Sequence, residues 1–134
     1  DELMKSDVLQ AMSDHGVTFG RTAPTVRVSD MDRALDFYCR ILGMEKTFEN
    51  GDPVGFAILV RDKAQIHLSL CAEHNATTQN VLHLIVEDAH RLYEHLEANG
   101  VRIVKGLRDQ EYGLRDFIFA DPDGNRIDTG QRQS

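Results

Sequence analysis

Val26-Arg27-Val28-Ser29-Asp30-Met31-Asp32-Arg33-Ala34-Leu35-Asp36-Phe37-Tyr38 reads as a strand that gives way to a helix within a few residues. Residues 25–28 alternate polar and apolar, the period of a strand with one buried face. Ser29 or Asp30 then suits a helix cap, because either side chain can accept from the free amides of a first turn. Met31, Ala34, Leu35, Tyr38, Ile41 and Leu42 fall on one helical stripe, and Gly43 supplies the left-handed residue that ends it. The same order returns. Residues 82–86 alternate, Glu87-Asp88 stands at the cap, Ala89, Leu92, Tyr93 and Leu96 form the stripe, and Gly100 is the stop. Val28-Ser29-Asp30 meets Val86-Glu87-Asp88 at a shift of 58 residues, Arg33 meets Arg91 at the same shift, and Gly43 meets Gly100 at 57. This is an internal repeat.

The intervals fill in the unit. Strands are expected at 44–48, 55–61 and 65–70 in the first copy, and at 101–104, 115–120 and 125–130 in the second. The turns are Asn50-Gly51-Asp52-Pro53, Asp62-Lys63-Ala64 and Asp121-Pro122-Asp123-Gly124. The expected fold is therefore α+β: two β-α-β-β-β modules, each a curved mixed sheet with an outer helix, together one domain. Residues 23–73 form the first module, 74–80 the linker and 81–134 the second. A single ferredoxin-like domain is the competing reading. Residues 1–22 precede the repeat as an arm, with helical spacing of Val8, Leu9 and Met12 within residues 5–13.

Composition narrows the function classes. Of the 134 residues, 41% are hydrophobic and 28% charged, which is the balance of a globular chain. Fifteen basic against 22 acidic residues leave a net charge of −7, which disfavours nucleic acid and favours cations. No apolar run approaches the ~20 residues of a membrane helix, and no apolar signal core opens the chain. Cys39 and Cys71 lie in periodic segments without zinc spacing, so reduced thiols and a cytoplasmic protein are expected. No nucleophile–base pair, phosphate-cradling glycine loop or paired carboxylates stand out. Arg33, Arg40, Arg91 and Glu97 read as solvated helix faces.

Strand parity sorts the two faces of each sheet. Val26, Val28, Ile66, Leu68, Leu70, Leu82, Leu84 and Ile127 should pack under the helices. Thr25, Arg27, His67, Ser69, His83, Arg126 and Asp128 are left for the concave side. Such a polar surface should hold water or a polar ligand. The alternative is an internally paired network with Asp128 matched to an arginine.

The repeat order, the opening Val-Arg-Val-Ser-Asp-Met-Asp-Arg-Ala-Leu-Asp-Phe-Tyr and the closing Asp121-Pro122-Asp123-Gly124-Asn125-Arg126-Ile127 resemble the vicinal oxygen chelate superfamily over about residues 22–132. That superfamily includes glyoxalases, extradiol dioxygenases and bleomycin-resistance proteins, so function has to be argued from the site. The ligand positions of its metal-dependent members fall here on Ala23, His67, Val81 and Asp128. Ala23 and Val81 have no donor atom, which implies a broken metal site, no cofactor and no catalytic residue. One alternative stays open, because His83 shares the face of Val81. His67, His83 and Asp128 would compose a two-histidine, one-carboxylate set for a metal-dependent lyase or dioxygenase.

The stretches Gly55-Phe56-Ala57-Ile58-Leu59-Val60-Arg61-Asp62, Ile66-His67-Leu68-Ser69 and Tyr112-Gly113-Leu114-Arg115-Asp116-Phe117 are similar to the metal-free resistance branch. That resemblance implies an antibiotic-resistance protein that sequesters a cationic or amphipathic drug of the bleomycin class without chemistry. Phe48, Phe56, His83 and Tyr112 would stack on it, with His67, Ser69, Arg126 and Asp128 as polar lining. It also implies a homodimer with grooves shared between chains and the arm exchanged. Nucleic acid and membrane are not expected as partners. The chain has no tryptophan, which is common at such groove positions, so its stacking area is smaller.

Overall fold

The computed structural model describes residues 2–111 and 113–132. Helix α1 (Glu2–Ser13) opens the chain and is followed by a stretch without regular structure. Strand β1 (Thr25–Val28) then leads into helix α2 (Met31–Leu35). Asp30 is the cap, accepting from the Arg33 amide at 3.0 Å. Asp88 does the same for Arg91 at 2.9 Å, at the start of helix α3 (Ala89–Ala98), so the two cap-and-arginine pairs keep the repeat's spacing. Strands β2 (Glu45–Asn50), β3 (Phe56–Arg61) and β4 (Ala64–Leu70) complete the first module. The second comprises β5 (Asn80–Ile85), α3, β6 (Ile103–Asp109), β7 (Leu114–Ala120) and β8 (Arg126–Arg132).

The sheets have orders β1-β4-β3-β2 and β5-β8-β7-β6. In each, the first strand of the module runs parallel to the last and the remaining pairs are antiparallel. Identical topology in both halves is the two-module α+β fold and excludes the single ferredoxin-like sheet.

Alternation fixes which face is dry. Val26, Val28, Ala57, Leu59, Ile66 and Leu68 are buried beneath Met31, Ala34, Phe37 and Tyr38, while Leu82, Phe117, Phe119 and Ile127 are buried with Ala89 and Leu96. These belong to one continuous core. Phe37 meets Phe119 across the modules, with ring centroids 6.2 Å apart.

Helix α2 is short because the backbone widens into a π-helical segment, Asp36–Ile41. The Leu42 amide donates to the Phe37 carbonyl at 3.0 Å, closing an i to i+5 ring. Within this wider turn the consecutive Phe37 and Tyr38 are both buried. Gly43 ends the helix at φ +79°, and a Cβ there would stand 2.5 Å from Arg61 Nη1, which donates to the Gly43 carbonyl.

The turn between β7 and β8 fastens one module to the other. Asp121 accepts from the Tyr38 hydroxyl and Asn125 Nδ2, each at 2.8 Å, and from the amides of Asp123 and Asn125 at 2.9 Å. Asp123 accepts from the Ser29 amide and hydroxyl and pairs with Arg33 at 3.2 Å. Asn125 Nδ2 also donates to the Arg27 carbonyl at 2.9 Å, and its Oδ1 lies 2.8 Å from His74 Nε2. Ser29 thus serves as a docking point where a cap was the alternative. Arg33 is tied across the junction, contrary to its reading as a free solvated charge.

Other departures are local. The second strand lies at Glu45–Asn50, shifted from 44–48. Strand β6 extends to Asp109 through irregularities after Ile103 and Lys105, and each disrupts the alternation that marks a strand in sequence. Strand β5 begins at Asn80, within the expected linker. Leu70, expected under the helices, is 37% exposed at the end of its strand.

Candidate functional site

Register places the concave residues in rows. Across the first sheet run Thr25–His67–Ile58–Phe48 and Arg27–Ser69–Phe56–Asn50. The Phe48 and Phe56 rings are 6.2 Å apart, and Phe56 meets His67 edge-on at 5.3 Å. Gln65 Nε2 lies 2.8 Å from His67 Nε2. An amide nitrogen can only donate, so this contact leaves the ring proton of neutral His67 on Nδ1. The three rings form an aromatic strip whose outer member, Phe48, is 50% exposed. An exposed ring backed by two half-buried ones is a ready face for a flat apolar group.

The second sheet presents a different chemistry. Its central row is His83–Asp128–Ile118–Lys105. His83 Nδ1 lies 2.9 Å from Asp128 Oδ2, so Asp128 is matched to a histidine and not to an arginine. Arg126 stands on the same face two residues before Asp128, half-buried. Nearby, Asp116 is buried and accepts from Gln110 Nε2 at 2.9 Å, with Arg108 Nε at 3.8 Å.

Phe48, Phe56, His67 and Ser69 therefore share one concave face, and His83, Arg126 and Asp128 share the other. Tyr112 lies outside the described residues. Ile58, Gln65, Ile118 and Lys105 were missed, although their strand parity carried the signal. Pairing between strands is what reveals them as neighbours.

Among the described residues the expected ligand positions do not come together within one chain. The positions of Ala23 and Val81 offer no donor, and His67 is on a different sheet from His83 and Asp128. Among the described residues no three His, Cys, Asp or Glu side chains come together to hold an ion. The three-ligand alternative built on His67, His83 and Asp128 is thus not assembled within the chain. Burial pushes the Cys39 thiol up, away from the reactive thiolate. A shallow groove of about 520 Å³ beside Cys39, bounded by Leu35, Met44 and Lys46, lies on the helix side, away from both concave faces. Among the described residues no helix is long and apolar enough to cross a membrane.

Two four-stranded sheets of identical topology with helices packed outside define a two-module α+β protein. The chain belongs to the Glyoxalase/Bleomycin resistance protein/Dioxygenase superfamily, whose family model matches residues 18–129. It is 28% identical over 125 residues to a bleomycin resistance protein of Geobacillus stearothermophilus, covering 80% of this chain and 92% of the relative. It is also 28% identical over 121 residues to a "Probable lactoylglutathione lyase" of Synechocystis, covering 81% and 92%. A crystal structure of a superfamily member from Sphaerobacter thermophilus superimposes with a TM-score of 0.74 at 29% identity, over 87% of this chain and 99% of that one.

Proposed function

We propose that this protein binds and sequesters a cationic or amphipathic small molecule, of the bleomycin class, without transforming it. The observation that carries this reading is the aromatic strip of Phe48, Phe56 and His67, left open on a concave face. The net charge of −7 draws cationic molecules toward the protein at long range. The resistance-protein relative supports the drug class. The functional unit is a cytoplasmic homodimer: the module junction is made on the helix side, so each concave face needs a module from a second chain to become a groove. Val8, Leu9, Met12, Val17 and Phe19 of the arm are all exposed and supply apolar surface for exchange onto that partner. The ligand-lining residues are Phe48, Phe56, His67, Ser69, His83, Arg126 and Asp128, with Tyr112 as a further candidate from the sequence.

Calorimetry with bleomycin tests the reading. Saturation at one ligand per chain is expected, with Phe56→Ala weakening binding about ten-fold or more through loss of a stacked ring. No heat at any attainable concentration, or an unaffected Phe56→Ala, would sink it.

A second reading is a metal-dependent enzyme of glyoxalase or dioxygenase type, favoured by the lyase relative and by the preformed His83–Asp128 pair. It requires His67 to be delivered from a second chain. Stoichiometric iron, nickel, zinc or manganese in protein purified without chelator, lost in His67→Ala, would establish it over sequestration.

A further inference from the structure

We propose that the concave face of the second sheet recognises a neutral carboxamide edge, with His83 Nε2 accepting its N–H and the Arg126 guanidinium donating to its carbonyl. This rests on the reading of the concave faces as a ligand site, and it names the chemical group taken at the polar end.

Asp128 fixes the polarity of the histidine. A carboxylate only accepts, so His83 Nδ1, 2.9 Å from Asp128 Oδ2, carries the ring proton of the neutral imidazole. Nε2 is then a lone-pair acceptor. The His83 side chain is 69% exposed while that of Asp128 is only 21% exposed, so the pair is anchored in the sheet and its acceptor end faces outward. Asp128 stands between His83 and Ile118 in its row, where the strand ladders hold it in place.

Arg126 supplies the complementary group. It precedes Asp128 by two residues on β8, so the two project from the same face about 6.6 Å apart along the strand. Its guanidinium offers five N–H donors and, among the described residues, has no acceptor. A half-buried cation without a partner gains from any acceptor that a ligand brings. The same face thus carries one acceptor and one donor array.

The surrounding charges select a neutral group. A cation beside Nε2 would be drawn by Asp128 and repelled by Arg126, two residues apart on β8, with no net gain. An anion beside Arg126 would face Asp128 and the Nε2 lone pair. A carboxamide has N–H and C=O on adjacent atoms and satisfies both without either conflict, and its planarity suits a flat ring carried on the imidazole. Any cation in the same ligand lies away from this face.

Three ring probes separate the possibilities: nicotinamide, nicotinate and 3-(aminomethyl)pyridine, titrated into the isotope-labelled full chain by NMR. The His83 ring nitrogens of the free protein should report the Nδ1–H tautomer. Nicotinamide should shift the His83 and Arg126 signals and bind about ten-fold tighter than either single-function probe, the effect of one additional hydrogen bond. His83→Phe, which keeps a flat ring, and Arg126→Met should each abolish that preference. An Nε2–H tautomer, or equal binding of the three probes, overturns the inference. Shifts confined to Phe48, Phe56 and His67 without preference overturn it while leaving the groove reading intact. No response on either sheet defeats both.

Discussion

Tyr38→Phe removes one atom from the junction between the modules, and its effect should depend on pH in a calculable way. The hydroxyl is fully buried and donates to Asp121 at 2.8 Å. A hydrogen bond to a charged acceptor contributes about 1.5–3 kcal/mol, so the variant should lose about 2 kcal/mol near neutral pH. Burial, with Asp121 beside it, raises the phenol pKa well above its ordinary value of 10.0. A raised pKa means that the folded chain keeps a proton the unfolded chain gives up. The contribution is whole below about pH 10 and is lost as pH rises further, by about 1.4 kcal/mol per unit. Phenylalanine has no proton to keep. The difference between parent and variant should therefore shrink from about 2 kcal/mol at pH 7 as the pH rises above about 10. Cys39, also raised by burial, titrates in both proteins and cancels from the difference. Urea unfolding followed by circular dichroism across this range is the assay. A constant difference at all pH values, or a variant as stable as its parent at pH 7, would refute the reasoning.

Asp121→Ala withdraws an acceptor that serves four donors and should cost about 3–5 kcal/mol, more than Tyr38→Phe, because buried donors are left unpaired; equilibrium unfolding compares the two. Gly43→Ala forces a left-handed residue and crowds Arg61, so a loss of about 1–2 kcal/mol is expected, with the crowding share recovered in an Arg61→Ala background. Removal of residues 1–22 should leave the unfolding free energy of the body within about 0.5 kcal/mol, since Val8, Leu9, Met12, Val17 and Phe19 of the arm are exposed, while sedimentation shows a weakened dimer.

The repeat was legible because its signals are local. Asp30 and Asp88 cap by hydrogen bonds three residues long, Gly43 and Gly100 both take positive φ, and alternation on β1, β4, β5 and β8 sorts the faces within one strand. What stayed hidden depends on distant partners. Asp123 lies 94 residues from Ser29, and nothing near Ser29 announces that its amide will meet a carboxylate from the other module. The His83–Asp128 pair exists because β5 and β8 run parallel in one register, a fact of pairing and not of pattern. The π-helical segment escaped for another reason: its apolar spacing fits an ordinary helical stripe, and the widened turn shows only in the backbone bond from Leu42 to Phe37. Strand β6 faded where its irregularities put consecutive residues out of phase.

The turn that joins the modules has a further consequence, for how the two halves recognise one another. Its acids, Asp121 and Asp123, come from the second copy, and the groups they engage, Ser29, Arg33 and Tyr38, come from the first. In the first copy the corresponding hairpin is only Asp62-Lys63, too short to reach across. The duplicated halves have therefore become plug and socket. Two first halves would meet with hydroxyls and a guanidinium but no carboxylate from the turn, and two second halves would set the turn's carboxylates against Glu87, the counterpart of Ser29. If the gene were cut within residues 74–80 and both pieces were made together, unlike halves would assemble and like halves would not.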